Sequence, residues 1–140
     1  MNRSPDYNKQ AYLSGRKAHW DAIARKRDTW RGMGNWYHRR IEQIYRFLVS
    51  PGQCVLEIGS GTGNLLSVLQ PANGLGIDFS NEVLQRAIQK HPGIHFQLAD
   101  AHDLSGVQGP VDVIVLSDLV HELWDVQQVF MQIQAALPLQ

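Results

Sequence analysis

Hydrophobic positions along the chain predict helices first, and then strands and helices in alternation. Beginning with Tyr37, apolar residues recur at helical spacing, at Tyr37, Ile41, Ile44, Tyr45 and Leu48. The polar stretch SPGQ ends that helix. Four apolar runs then predict strands: CVLEI, LGID, residues 94–98 and VDVIVLSDL.

Helices are predicted between these strands. They cover NLLSVLQ, which Pro71 ends, residues 83–88, for which Ser80 supplies an N-cap, and residues 126–137. The fourth strand is apolar almost throughout, which is typical of a strand covered on both faces. Strands and helices that alternate in this way predict an α/β fold: a Rossmann-like, doubly wound parallel sheet with N-terminal helices.

The composition narrows the class of protein. A chain of 140 residues is long enough for one domain with a core but too short for two. It contains no apolar run of the length of a membrane span, and its first residues lack the apolar centre of a signal peptide, so a cytoplasmic location is expected. The single cysteine, Cys54, excludes a disulfide framework and is expected to be a small buried residue. The histidines form no convincing set of metal ligands, so no metal is predicted.

The net charge of zero hides an asymmetry. Residues 1–50 hold 11 Lys or Arg against 4 Asp or Glu, a balance of +7, and residues 51–140 hold 2 against 9, a balance of −7. The basic residues alternate with acids and tryptophans, as on an ordinary solvated helix, which argues against nucleic-acid binding. We therefore predict a basic helical lid or cap over residues 1–36, and a second unit over residues 37–140.

The stretch VLEIGSGTGNLL carries the strongest functional signal. Gly59, Gly61 and Gly63 follow a predicted strand and precede a predicted helix, where a bare backbone lets an anionic or polar ligand approach closely. The dinucleotide fingerprint would need glycine at position 64, where this chain has Asn64. Glu57 suits a ligand that carries an ammonium and a sulfonium. The pattern E-x-G-x-G-x-G resembles the first motif of the class I S-adenosylmethionine-dependent methyltransferases.

The resemblance continues in register over about residues 37–137. It implies that Asp78, in GIDFS, binds both ribose hydroxyls and that Phe79 covers the adenine. It also implies that Asp100, in LADAHDL, contacts the adenine amino group, with the amide of Ala101 beside it. Ser117 and Asp118 end the fourth strand, where the family lines the methyl-transfer side of its pocket. The cofactor implied is S-adenosyl-L-methionine, and its expected binding residues are Glu57, Gly59, Ser60, Gly61, Gly63, Asp78, Phe79, Asp100, Ala101 and Ser117.

Several of these residues also have a purely structural interpretation. Asp78 alternatively caps the following helix, and Asp100 alternatively serves a turn. His121 is either a general base for an acceptor hydroxyl or a histidine packed against a loop. We therefore assign no catalytic residue, because methyl transfer from a sulfonium needs a base only when the acceptor must lose a proton.

The stretch SDLVHE stands where methyltransferases acting on amino groups of bases or of glutamine often have an Asn or Asp followed by two prolines and an aromatic. The resemblance therefore indicates a methyltransferase for a small-molecule acceptor. The alternative is a non-catalytic cofactor-binding or interaction module that a partner chain completes.

The resemblance also implies strand order 3-2-1-4 with the sequence ending before a fifth strand. The fourth strand would then be an exposed edge. We expect self-association, or a C-terminal continuation such as a glycosyltransferase domain, to cover it.

Overall fold

A computed structural model describes residues 5–26 and 34–136, and it shows a parallel sheet flanked by helices. The helices are α1 (Pro5–Lys26), α2 (Gly34–Leu48), α3 (Asn64–Val68), α4 (Asn81–Lys90) and α5 (Val126–Ala136). The strands are β1 (Cys54–Ile58), β2 (Asn73–Asp78), β3 (His95–Leu98) and β4 (Val113–Val115). A short 3-10 turn, Val120–Glu122, follows β4.

The four strands lie in the order β3-β2-β1-β4, and each neighbouring pair is parallel. In the central strand, Leu56 lies opposite Leu75 on one side and Ile114 on the other. The predicted α/β fold and its strand order are therefore confirmed.

Both faces of the sheet are covered, because successive residues of β1 point to opposite sides. One core cluster contains Val49, Val55, Leu66, Leu69 and Val115. The other contains Leu56, Ile58, Ile77, Leu104 and Val107. Glu57 lies on the face of Val55, and its neighbours along the strand contribute to both clusters, so the core fixes its position.

The bounds of several elements differ from the predicted ones. β4 covers only three residues of the apolar run VDVIVLSDL, because its partner β1 gives way to the glycine loop after Ile58. β2 begins earlier than LGID, since Asn73 already pairs with Cys54. Cys54 is only half-buried, and partial burial together with nearby Asp112 raises the pKa of its thiol.

Two expectations fall partly outside the described residues. Residues 1–4 and 27–33 of the predicted lid, and the end of the last predicted helix at Leu137, are not among them. α2 begins at Gly34, so the expected boundary after residue 36 falls inside this helix. None of the helices described is both long and apolar enough to cross a membrane.

Candidate active site

The carboxyl ends of the strands open into one large cleft of about 1630 Å³. Its floor is the glycine loop between β1 and α3, and its far walls include residues of α1 and α2. Small-molecule sites usually enclose about 300–1,000 Å³. The cleft therefore has room for a cofactor and a second molecule.

The three glycines of the loop all have positive φ, at 73° for Gly59, 55° for Gly61 and 76° for Gly63. Their surroundings nevertheless differ. A Cβ on Gly61 would meet nothing within 4 Å, so this backbone is open to a ligand. A Cβ on Gly63 would lie 2.5 Å from Cζ of Phe96, so this glycine is needed for packing against β3.

Hydrogen bonds tie the loop to the neighbouring strand. The amides of Gly59 and Ser60 both donate to the carbonyl oxygen of Ile77, at 2.8 and 2.9 Å. The Ser60 hydroxyl is buried and has no hydrogen-bond partner among the described residues. The loop is thus held in place while one of its polar side chains is left available to a ligand.

Glu57 is almost fully buried, with 3% of its surface exposed, and its Oε2 atom has no partner in the described part of the chain. Burial raises the pKa of this carboxyl to about 8, the charge of Asp78 adds to the rise, and the backbone amide of Leu66 opposes it. A cationic group in the cleft would favour the ionised form. The site therefore suits a ligand that brings a positive charge to Glu57.

Asp78 ends β2 and joins the glycine loop to the start of α4. Its Oδ2 accepts from the amide of Gly61, and its Oδ1 accepts from the amide of Ser80, both at 3.0 Å. Burial raises the pKa of this carboxyl, although backbone amides partly oppose the rise. Ser80 itself is the N-cap of α4, because its hydroxyl accepts from the amide of Val83 at 3.3 Å. The predicted cap at Ser80 is confirmed, and Asp78 supports the turn before it.

Asp100 also serves a turn. Its Oδ1 accepts from the backbone amide of His102 at 2.9 Å and lies 2.7 Å from Nδ1 of the same residue. His102 is buried, and its Nε2 accepts from the amide of Asp125 at 3.2 Å, which joins this loop to the start of α5. No motif or periodic pattern indicated this role of His102. Asp100, Ala101 and Phe79 all line the cleft.

The end of β4 brings Ser117 and Asp118 to the cleft. Asp118 has a φ of 53°, rare for a residue other than glycine, and its Oδ1 accepts from the hydroxyl of Tyr37 at 2.7 Å. This hydrogen bond raises the pKa of Tyr37. His121 is not packed against a loop: its side chain is 70% exposed, and it does not line the cleft.

Helix α1 forms a wall of the cleft that the sequence did not predict in detail. Glu122, in the turn after β4, forms an ion pair with Arg16 and accepts from the indole nitrogen of Trp20 at 2.8 Å. Asp21, on the same helix, accepts from the hydroxyl of Ser80 at the start of α4. The helix therefore spans from the start of α4 to the end of β4.

Within the described residues, no three side chains of His, Cys, Asp or Glu lie close enough together to hold a metal ion.

A family model described as a methyltransferase domain matches residues 55–138. The chain belongs to the class I S-adenosylmethionine-dependent methyltransferase family. The family and the cofactor predicted from the glycine motif are thereby confirmed. No curated protein sequence matches the chain significantly.

Solved structures of methyltransferases share the fold. Phosphoethanolamine N-methyltransferase 1 of Haemonchus contortus, in complex with phosphoethanolamine and S-adenosylhomocysteine, is 19% identical with a TM-score of 0.69, over 94% of this chain and 29% of that one. A TehB-like methyltransferase of Corynebacterium glutamicum is 18% identical with a TM-score of 0.62, over 86% and 67% of the two chains. An S-adenosylmethionine-dependent methyltransferase of Mesorhizobium loti is 26% identical with a TM-score of 0.54, over 62% and 43%. The chain thus spans well under two thirds of the first and third of these relatives.

Proposed function

We propose that this chain carries the cofactor site of a methyltransferase that acts on a small molecule, and that the cofactor lies over the glycine loop. The observation that carries the proposal is the pair of buried, unpartnered side-chain atoms, Glu57 Oε2 and Ser60 Oγ, in the cleft that the open backbone of Gly61 also lines. Buried polar atoms in native proteins are nearly always paired. A ligand with an ammonium and several polar groups would pair both.

Each predicted residue has a role in this proposal. Glu57 binds the ammonium of the cofactor's amino-acid part. The backbone around Gly61, which has no side chain, allows the cofactor to approach closely. Asp78 binds the two ribose hydroxyls through its carboxylate oxygens, which also accept from the backbone amides of Gly61 and Ser80. Phe79 covers the adenine, and Asp100 accepts from its amino group, with the amide of Ala101 beside that contact.

The chemistry follows from positioning. S-adenosylmethionine supplies an activated methyl group on its sulfonium, so the protein has to align the acceptor and exclude water. Ser117, at the end of β4, lines the side of the cleft where the acceptor lies. Helix α1 closes the cleft over these strand ends. His121 is too exposed to act as a base from inside the cleft, and we assign no other residue to that role.

Calorimetry on the purified chain tests the cofactor site. We expect S-adenosylmethionine and S-adenosylhomocysteine to bind in the micromolar range, which corresponds to roughly −8 kcal/mol at ~1 μM. NAD is the matched control, because it also carries an adenosine but has a pyrophosphate in place of the amino-acid part. A preference for NAD would overturn the proposal. A cytoplasmic location, expected from the sequence, stays a prediction.

A second candidate is a cofactor-binding module that another polypeptide segment completes. The supporting observation is that β4 pairs only with β1, so that its outer edge faces no strand among the residues described. Large apolar side chains are also exposed on α2 and α5: Trp36, Phe47, Leu48, Phe130 and Met131. Exposed edges and apolar patches favour association.

Light scattering, combined with a methyl-transfer assay on small hydroxylated acceptors, separates the two candidates. Self-association without turnover supports the module, and a monodisperse monomer that turns over an acceptor supports the enzyme.

A further inference from the structure

Three buried side-chain atoms in the described residues have no hydrogen-bond partner: Glu57 Oε2, Ser60 Oγ and Arg16 Nε. All three residues line the same cleft. Glu57 and Ser60 belong to the cofactor site proposed above. Arg16 lies on α1, and nothing in that proposal uses its Nε–H group. Because buried polar groups are nearly always paired, this donor indicates a contact with a second molecule.

The rest of the Arg16 guanidinium is neutralised. It forms an ion pair with Glu122, and the two side chains are only 28% and 17% exposed. Glu122 also accepts from the indole nitrogen of Trp20 at 2.8 Å. Burial raises the pKa of Glu122, but the hydrogen bonds from Arg16 and Trp20 and the charges of Arg16 and His121 outweigh burial, so the pKa lies below its ordinary value. The pair is therefore charged on both sides and neutral in sum.

The elements that carry this pair, and the neighbouring α2, also contribute apolar side chains to the cleft, alongside polar ones. Leu13, Trp20 and Ile23 contribute from α1, Ile41 from α2, and Leu123 follows the turn after β4. Aliphatic and aromatic side chains of this kind favour the burial of an apolar ligand. Ser117 and Asp118, at the end of β4, line the same cleft.

Building on the proposed function, we propose that this part of the cleft binds the methyl acceptor, and that Arg16 Nε–H donates a hydrogen bond to an uncharged oxygen of it. The acceptor class is a largely apolar, ring-sized molecule with a hydroxyl or carbonyl group. A carboxylate or phosphate would meet the negative charge of Glu122. An ammonium would meet the positive charge of Arg16, and Glu122 is already paired with two donors.

The test uses the full chain saturated with S-adenosylhomocysteine and three probes with one shared ring. These are 4-methylphenol, 4-methylbenzoate and 4-methylbenzylamine, which are neutral, anionic and cationic at pH 7. We expect 4-methylphenol to bind most tightly in titrations followed by NMR. Preference for either charged probe, or no binding of any probe, would overturn the proposed acceptor class.

Arg16→Lys isolates the proposed hydrogen bond. Lysine keeps the positive charge beside Glu122 but lacks the Nε–H group of arginine. We expect this variant to bind 4-methylphenol about tenfold more weakly, the loss of one hydrogen bond from a charged donor. Arg25→Lys is the matched control, because Arg25 is an exposed residue of the same helix. Unchanged phenol binding in Arg16→Lys would overturn the role of Arg16.

Glu122→Gln provides a second variant that does not depend on the first. It removes the negative charge and leaves Arg16 with a net positive charge, so the preference should move toward 4-methylbenzoate. An unchanged order of the probes would contradict the neutral-pair argument. S-adenosylhomocysteine affinity is measured for every variant. If the unmodified chain does not bind S-adenosylhomocysteine, the proposed function is wrong. If it binds the cofactor but shows a different order of probe affinities, only the acceptor site is wrong.

Discussion

Two walls of the same cleft are built in different ways. The wall at the glycine loop is local: Gly61 and Asp78, which share a hydrogen bond, are 17 residues apart, and one strand–helix–strand unit connects them. The wall at α1 is distant in sequence: Trp20 and Glu122 are 102 residues apart. The first wall presents backbone groups and carboxylates to the cleft, and the second presents an ion pair and apolar side chains.

This difference follows the division of labour in the proposed reaction. A cofactor shared by a whole family can be bound by a compact motif whose geometry the sheet dictates. The acceptor differs between enzymes, and its wall comes from a helix outside the alternating fold. If this interpretation is right, variants of the first wall change cofactor binding, and variants of the second leave it intact.

The largest effect is expected at Asp78. Asp78→Ala removes the proposed ribose contacts and also the acceptors for the amides of Gly61 and Ser80. We expect cofactor affinity to fall by about 2 to 3 kcal/mol, as charge-assisted hydrogen bonds are lost. Calorimetry measures this, with thermal melting alongside it. Lowered stability with unchanged affinity would show that Asp78 serves only the turn.

Substitutions of Gly61 and Gly63 should distinguish a glycine needed for cofactor binding from one needed for packing. Gly63→Ala forces a Cβ at positive φ to within 2.5 Å of Phe96, and we expect it to lower the free energy of unfolding by about 2 kcal/mol. Gly61→Ala meets no neighbour, so its cost to stability is about 1 kcal/mol, from the strained backbone alone. It should nevertheless weaken the cofactor more than Gly63→Ala does. The reverse order of binding losses would contradict the assignment of the open glycine.

Much of the first wall could be predicted from the sequence. Apolar runs indicated the strands, and strand order followed from the family resemblance. Positive φ at Gly59, Gly61 and Gly63 followed from their residue type. The positions of the strands and the conformation of the glycine loop depend on residues within one strand–helix unit, unlike the strand order. Local pattern therefore contains the information that places them.

The second wall could not be predicted in the same way. Two polar contacts join α1 to distant segments: Arg16 pairs with Glu122, and Asp21 accepts from Ser80. No periodic pattern encodes such pairs. The bridge that His102 forms between Asp100 and Asp125 has the same character. The length of β4 depended on where its partner strand ends. Tertiary context decided each of these features.

Glu57 links cofactor binding to pH. Its pKa of about 8 lies above the ordinary value of 4.5. The folded, ligand-free protein thus binds a proton that the unfolded chain has lost, so stability falls as the pH rises from about 4.5 to about 8. Glu57→Gln should flatten this dependence, with Asp6→Asn, at an exposed residue, as control.

The same carboxyl should release a proton when the cofactor binds. At pH 7 we expect a release of up to about one proton, because the ligand's ammonium favours the carboxylate. Calorimetry in buffers of different ionisation enthalpy measures it. Glu57→Gln should abolish the release and weaken the cofactor about tenfold, the effect of one ionic hydrogen bond. Proton release that persists in the variant would assign the titration to another group.

The smallest effect is expected for the hydrogen bond between Ser80 and Asp21, which connects α4 to α1. The Ser80 hydroxyl accepts from the amide of Val83 and donates to Asp21 on α1. Asp21→Ala removes the contact of Ser80 with α1, together with a charge that helps to raise the pKa of Asp78, and we expect it to lower the free energy of unfolding by about 0.5 kcal/mol. Ser80→Ala also removes the helix cap, so its cost should reach about 1.5 kcal/mol.

Urea denaturation of both variants gives the difference, which is the contribution of the cap. Asp21 does not line the cleft, so Asp21→Ala should leave the affinity for S-adenosylhomocysteine unchanged. If this substitution weakens the binding of S-adenosylhomocysteine, α1 is part of the cofactor wall. The division between a cofactor wall and an acceptor wall would then be wrong, because one helix would hold both ligands.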